Sequence, residues 1–292
     1  MLLSRERHDN LRCYWRREPE SNLPEGKPNR KMPALDAIIA ATRATLPQLH
    51  SRRRELERAA ARRDPPPDFA AALVGPSVGL VAEVKRRSPS AGPINENLDP
   101  VTLARAYAAG GAAAISVLTD GPFFGGSLAD LDAVSAAVGC PVLRKDFILD
   151  EVQLLEARAA GAAAALLIVR ILAQEALRRL ADFAGTLGLA TLVETHNRVE
   201  IVRAVDAGAR VIGVNARDLD DFSIDAPGAW ALLASVPAGC IAVAESGMAS
   251  RDDVLRAGAA GADAVLIGSA LAGAVDPAAR ARELTGIPRH GR

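Results

Sequence analysis

The chain of 292 residues carries 35 basic and 35 acidic side chains, is 49% hydrophobic and only 3% aromatic. That composition suits a folded globular protein, long enough for one α/β barrel and too apolar for a disordered chain. Zero net charge excludes nonspecific nucleic-acid binding as the main role, and the scarcity of aromatic rings excludes a stacking platform for single strands.

Cys13, Cys140 and Cys240 show no C-x-x-C spacing and no accompanying histidine cluster. A disulfide framework and structural zinc are therefore not expected, and a reducing cytoplasm is the expected setting. No apolar run approaches the roughly 20 residues of a membrane span, and the N-terminus has no apolar core of a signal peptide.

Residues 1–31 mix eight Lys/Arg with five Asp/Glu, are broken by Pro19, Pro24 and Pro28, and lack periodicity. They read as a disordered extension, with a misassigned start codon as its explanation and Met32-Pro33 as the beginning of the folded chain. A nucleic-acid-binding arm is the sharper alternative, disfavoured by the interleaved acids. From there, Leu35, Ile38, Ile39, Leu46 and Leu49 recur at helical spacing, and a charged stretch at Arg52–Arg63 extends the pattern to the stop at Pro65-Pro66-Pro67.

Eight short Val/Ile/Leu-rich runs follow, near Val81, Ile115, Val142, Leu166, Leu192, Ile212, Val243 and Val265. Ala-rich helical segments separate most of them, several ending in a glycine turn such as Ala109-Gly110-Gly111, Ala160-Gly161, Ala207-Gly208 or Ala260-Gly261. Strands alternating with helices imply a parallel sheet. Eight units predict an α/β fold, a single (β/α)8 TIM barrel over residues 32–292 with an extra N-terminal helical segment. An open doubly wound sheet is the alternative, but no G-x-G-x-x-G turn follows the first strand.

In such a barrel, chemistry sits at the C-terminal ends of the strands. The first strand ends with Glu83 and Lys85 on one face, either a reactive pair or a buried ion pair, and Ser88 follows as a ligand or turn cap. The third ends with Lys145 and Phe147 on one face and Arg144 and Asp146 on the other. A lysine beside a ring in a semi-enclosed mouth suits a general acid or a Schiff-base nucleophile. Glu194 ends the fifth strand as a general base or an ion-pair partner, and His196 beyond it reads as an ordinary loop residue. Asn215 and Arg217 follow the sixth strand, as polar ligands or turn residues. Ser246-Gly247 and Gly268-Ser269, at the seventh and eighth strands, fit a backbone cradle for phosphate or ordinary helix capping. With neither a metal-ligand cluster nor a dinucleotide motif, the rim reads as cofactor-free, metal-free acid–base chemistry on a small sugar phosphate.

The stretches VAEVKRRSPSAGPI (81–94), ISVLTDGPFFGGSL (115–128), PVLRKDF (141–147), LVE (192–194), IGVNARDL (212–219), AESG (244–247) and AVLIGS (264–269) together make the chain resemble indole-3-glycerol phosphate synthase. The resemblance covers nearly all of residues 33–285. It implies ring closure of 1-(2-carboxyphenylamino)-1-deoxyribulose 5-phosphate, with loss of CO2 and water, in tryptophan biosynthesis. It further implies Lys145 as general acid, Lys85 on the substrate's anionic groups and in dehydration, and Glu194 as the carboxylate that handles the proton. Glu83 and Asn215 then position these groups. Ser88, Phe124, Phe147, Arg217 and Leu219 line the pocket, and Ser246, Gly247, Gly268 and Ser269 hold phosphate. The sequence departs from the family pattern at Phe123, an additional aromatic, and at Ala216, where the family often has a polar residue. A monomer is expected, with contacts to other enzymes of the pathway as an option. Two alternatives are a phosphoribosyl isomerase type of barrel and a non-catalytic barrel that serves as a binding module.

Overall fold

The computed structural model describes residues 34–88 and 92–291. The expectations for residues 1–31, for Met32-Pro33 and for Pro89 and Ser90 lie outside the described residues.

Eight parallel strands close into a ring: β1 (Gly79–Val84), β2 (Ala114–Leu118), β3 (Val142–Lys145), β4 (Ala164–Ile168), β5 (Ala190–Thr195), β6 (Val211–Asn215), β7 (Ile241–Glu245) and β8 (Ala264–Ile267). Val81 of β1 pairs with Ala114 of β2 on one side and with Leu266 of β8 on the other, which completes the barrel. The strands read as continuous apolar runs because both faces are covered. Leu80, Ala82, Val117, Val142, Leu167, Val193, Ile212 and Val265 pack outward under the helices. Val81, Leu143, Leu166, Leu192, Val243 and Leu266 fill the interior. The barrel is thus a packed core and not a pore.

Several αβ turns reverse direction through a left-handed residue that only glycine adopts cheaply. Gly111, Gly161, Gly208 and Gly261 all have φ between 79° and 104°. Gly110, which sequence reading grouped with Gly111, keeps a right-handed φ of −78°; its role is close contact, since a Cβ there would overlap Ala281 and the Ala278 carbonyl.

The segment before the barrel serves both of its ends. Helix Ala34–Ser51 brings Leu35 and Ile38 into the interior cluster and over the C-terminal mouth. Helix Arg53–Ala61 then buries Leu56 against Val152 and Leu155 of the helix after β3. After the proline run, Asp68 caps a short helix, Phe69–Ala72. Phe69 and Leu73 plug the opposite end, with the Leu73 carbonyl set against Gly79 at the start of β1.

Candidate active site

Strand alternation puts Glu83, Lys145, Glu194 and Glu245 on the interior face of β1, β3, β5 and β7, two residues beyond Val81, Leu143, Leu192 and Val243. Four side chains from alternate strands form one layer of a barrel core. In this chain that last layer is charged. The Lys145 Nζ lies 2.8 Å from Glu245, 3.6 Å from Glu194 and 3.9 Å from Glu83. The Lys85 Nζ closes the group from the next level, 2.6 Å from Glu83.

Room for this layer comes from glycines. A Cβ on Gly213 would overlap the Glu245 carboxylate, and one on Gly268 would overlap Glu83 and crowd Lys85. The sequence offered a phosphate cradle or helix capping for Gly268-Ser269; the structure shows that Gly268 also makes space for the Glu83–Lys85 pair.

The charge states follow from the packing. Burial opposes an ammonium at Lys145, but Glu245, Glu194 and Glu83 outweigh it and hold the proton far more tightly than usual. Burial also opposes ionisation of Glu194, which is reversed by Lys145, His196 and Asn215, so this carboxyl sits below the usual range. Glu83 is likewise lowered, with Lys85 and Lys145 overcoming burial. Glu245 goes the other way: burial, joined by Glu194 and Glu83, raises it despite Lys145. Like charges in one dry site cannot all ionise freely.

Above the layer lies a cavity of about 500 Å³. Every residue to which the family resemblance gives a role in the site lines it: Lys145, Lys85, Glu194, Glu83 and Asn215; Ser88, Phe124, Phe147, Arg217 and Leu219; Ser246, Gly247, Gly268 and Ser269. Phe124 and Phe147 face each other with ring centroids 6.1 Å apart. Asp120 holds the first of them in place by accepting from the Phe123 and Phe124 amides. Asn215 accepts the Arg217 amide on its side-chain oxygen at 3.0 Å. That leaves its amino group as a donor toward Glu194. The Arg217 guanidinium donates to the Phe222 carbonyl. Ser246 and Gly247, in the turn after β7, are consecutive left-handed residues, φ 64° and 73°.

The site also holds residues that sequence reading passed over. Glu245 was read as part of the seventh strand end and of the AESG stretch and given no role, although its two-residue offset from Val243 was a sufficient signal. Leu35, Ile38, Phe222 and Met248 add apolar wall. His196 is not an ordinary loop residue: its side chain is 9% exposed and lies between Glu194 and Glu200. The i,i+4 spacing of His196 and Glu200, with Asn197 and Glu200 in the pattern of a helix start, was the signal for it in the sequence. Outside the barrel wall, Arg144 pairs with Asp146 at 2.9 Å and Glu156 at 3.0 Å and donates to Thr119 and the Gln153 carbonyl.

Among solved structures, the fold is similar to 3-hexulose-6-phosphate synthase, with a TM-score of 0.59 at 19% identity over 71% of this chain and 98% of that one. Thiamine phosphate pyrophosphorylase from Pyrococcus furiosus matches with a TM-score of 0.54, again at 19% identity, over 71% and 93%. At that identity the likeness is one of barrel architecture. Sequence relatives go further. An indole-3-glycerol phosphate synthase of Nocardioides is 50% identical over 88% of this chain and 99% of its own length. The proteins of the same name from Streptomyces griseus and Mycobacterium ulcerans are 48% and 47% identical, over 89% and 88% of this chain and 97% and 95% of theirs. The family model for indole-3-glycerol phosphate synthase matches residues 35–284, from the helix over the mouth to the last helix of the barrel. With the whole barrel and its charged layer inside that match, the chain belongs to the indole-3-glycerol phosphate synthase family.

Proposed function

We propose that this chain converts 1-(2-carboxyphenylamino)-1-deoxyribulose 5-phosphate to indole-3-glycerol phosphate, with Lys145 as the proton donor. Family membership supports the reaction. The observation that carries the assignment of roles is one lysine within 4 Å of three buried carboxylates at the floor of a largely apolar cavity.

A Schiff base needs a neutral amine as nucleophile. Three carboxylates around Lys145 favour the ammonium, so its role is that of a general acid. In ring closure, the aromatic carbon that bears the carboxylate bonds to the ketose carbonyl carbon, and Lys145 protonates the carbonyl oxygen. CO2 then leaves with cleavage of the bond to the ring, and the ring regains aromaticity. In dehydration, the new hydroxyl leaves as water while the adjacent carbon loses a proton. Glu194, held ionised, is the base for that proton, and Lys85 assists the departing oxygen. Glu83 orients Lys85, and Asn215 orients Glu194. Arg217 and Lys85 are the cations for the substrate carboxylate until CO2 is released. Phe124, Phe147 and Leu219 enclose the aromatic ring with Ser88 at the rim, and the Ser246-Gly247 and Gly268-Ser269 turns receive the phosphate. Incubation of the purified chain with the substrate tests the reaction by the rise of indole fluorescence. Steady turnover is expected; none, in protein shown to be folded, would contradict it.

A further inference from the structure

His196 lies one residue past the end of β5 and is fixed from below by its own helix. Helix Arg198–Asp206 starts with Asn197, whose side chain accepts the Glu200 amide at 2.9 Å and donates back to the Glu200 carboxylate at 3.0 Å. Glu200 is therefore locked, and its Oε2 takes the His196 amide at 2.8 Å and faces Nδ1 at 3.1 Å. With one edge of the ring held, the other edge aims Nε2 at Glu194 Oε1, 3.4 Å away. Both atoms are buried, and neither has a hydrogen-bond partner among the described residues. The other face of Glu194 looks at Lys145.

We propose that His196 is a positioning residue for Glu194: its ring carries the anchor of Glu200 across to the Glu194 carboxylate and holds that carboxylate, as an ion, toward Lys145. This rests on the reading of Glu194 as the base. The chain Glu200–His196–Glu194–Lys145 alternates acid and base, so its two inner members, His196 and Glu194, are each paired on two sides. Glu194 and Glu200 are the charged groups that face the imidazole. Burial disfavours its charged form, but these two carboxylates outweigh burial and push the ring up to about 10, so it carries its charge at neutral pH. Without that charge, Glu194 shares a dry layer with Glu83 and Glu245 and has Lys145 as its sole cationic partner among the described residues.

The test is the pH dependence of turnover in wild type, His196→Gln, His196→Asn, Glu194→Gln and the double variant Glu194→Gln/His196→Gln, each checked by circular dichroism. The glutamine keeps bulk and a donor without charge, and the asparagine serves if the first variant does not fold. The expected result is a lower kcat at unchanged KM, with the acidic limb of kcat moved to higher pH by about 1–3 units, as for loss of an opposite charge at contact distance. In the Glu194→Gln background the histidine change should cost nothing more. An unchanged kcat, or a fall in kcat with an unmoved limb and costs that add, would overturn the proposal. Full activity in Glu194→Gln would instead overturn the reading of Glu194 as base, a separate outcome.

Discussion

The most consequential residue is Lys145, and its chemistry depends on what surrounds it. A lysine at a strand end is ordinarily a solvated cation. Here the β3 alternation turns it inward, and β1, β5 and β7 each supply a glutamate at the same level. Sequence reading found two of these glutamates by their place at strand ends. It passed over Glu245 because the neighbouring Ser246-Gly247 offered a more familiar explanation of the motif. The small size of Gly213 has the same origin: a residue absent of side chain on β6 gives Glu245 its space. Gly213→Ala should therefore cost about 1–3 kcal/mol of stability through overpacking. It should also lower kcat by displacing the 2.8 Å partner of Lys145. Urea unfolding and steady-state turnover on the same preparation measure both, and a variant with wild-type stability and turnover would show that the layer has slack.

At the scale of elements, the strands hold the site because their outward faces are also fixed. Arg144 points away from the cavity and is buried among Asp146, Glu156, Thr119 and the Gln153 carbonyl. Asp146 in turn accepts the Phe147 amide at 2.8 Å, which sets the ring that faces Phe124. Removing the guanidinium strands two buried carboxylates. Arg144→Met is expected to lower the unfolding free energy by about 3–5 kcal/mol, as for a broken buried ion pair. Urea denaturation reads this directly, and a loss under about 1 kcal/mol would mean that water replaces the arginine. The eight strands were legible because parallel strands covered on both faces read as unbroken apolar runs. The faces of Arg144 and Lys145 followed from the same alternation. The plug Phe69–Ala72 was not legible, since four residues hold no periodic signal and its partners are distant in sequence. The environment of His196 was missed for a different reason: Glu194, Asn197 and Glu200 are close in sequence, but the ring comes between the two carboxylates through the turn from strand end to helix cap.

For the whole molecule, a net charge of zero conceals a strongly uneven distribution. Lys85, Lys145 and His196 meet Glu83, Glu194, Glu245 and Glu200 in one buried network. Its linkage to folding has a definite sign. Glu83, Glu194 and Glu200 are lowered, so their contribution is present above the ordinary carboxylate range and is lost as pH falls through their folded values. Burial opposes this at Glu200, and His196 overcomes it. Glu245 is raised and so opposes the other three: its share is present at low pH and is lost as pH rises. His196 is raised from 6.5 to about 10, so its contribution is complete below about pH 6.5 and is lost as pH rises toward 10. Over that window the wild type should lose stability relative to His196→Gln, as followed by urea midpoints; parallel curves would show that the ring is neutral in the folded state. The barrel and the polar groups at its strand ends were readable from the sequence, Phe124 and Leu219 came only with the family resemblance, and the balance of charges needed every member in place.

Steady-state turnover of 1-(2-carboxyphenylamino)-1-deoxyribulose 5-phosphate by wild type and Lys145→Ala, each shown to be folded, decides whether Lys145 is the proton donor. A positioned general acid contributes about 10²–10⁴-fold. A fall in kcat of that size with KM little changed is expected if Lys145 is the donor. A kcat equal to that of the wild type would contradict it and move the proton donor away from Lys145.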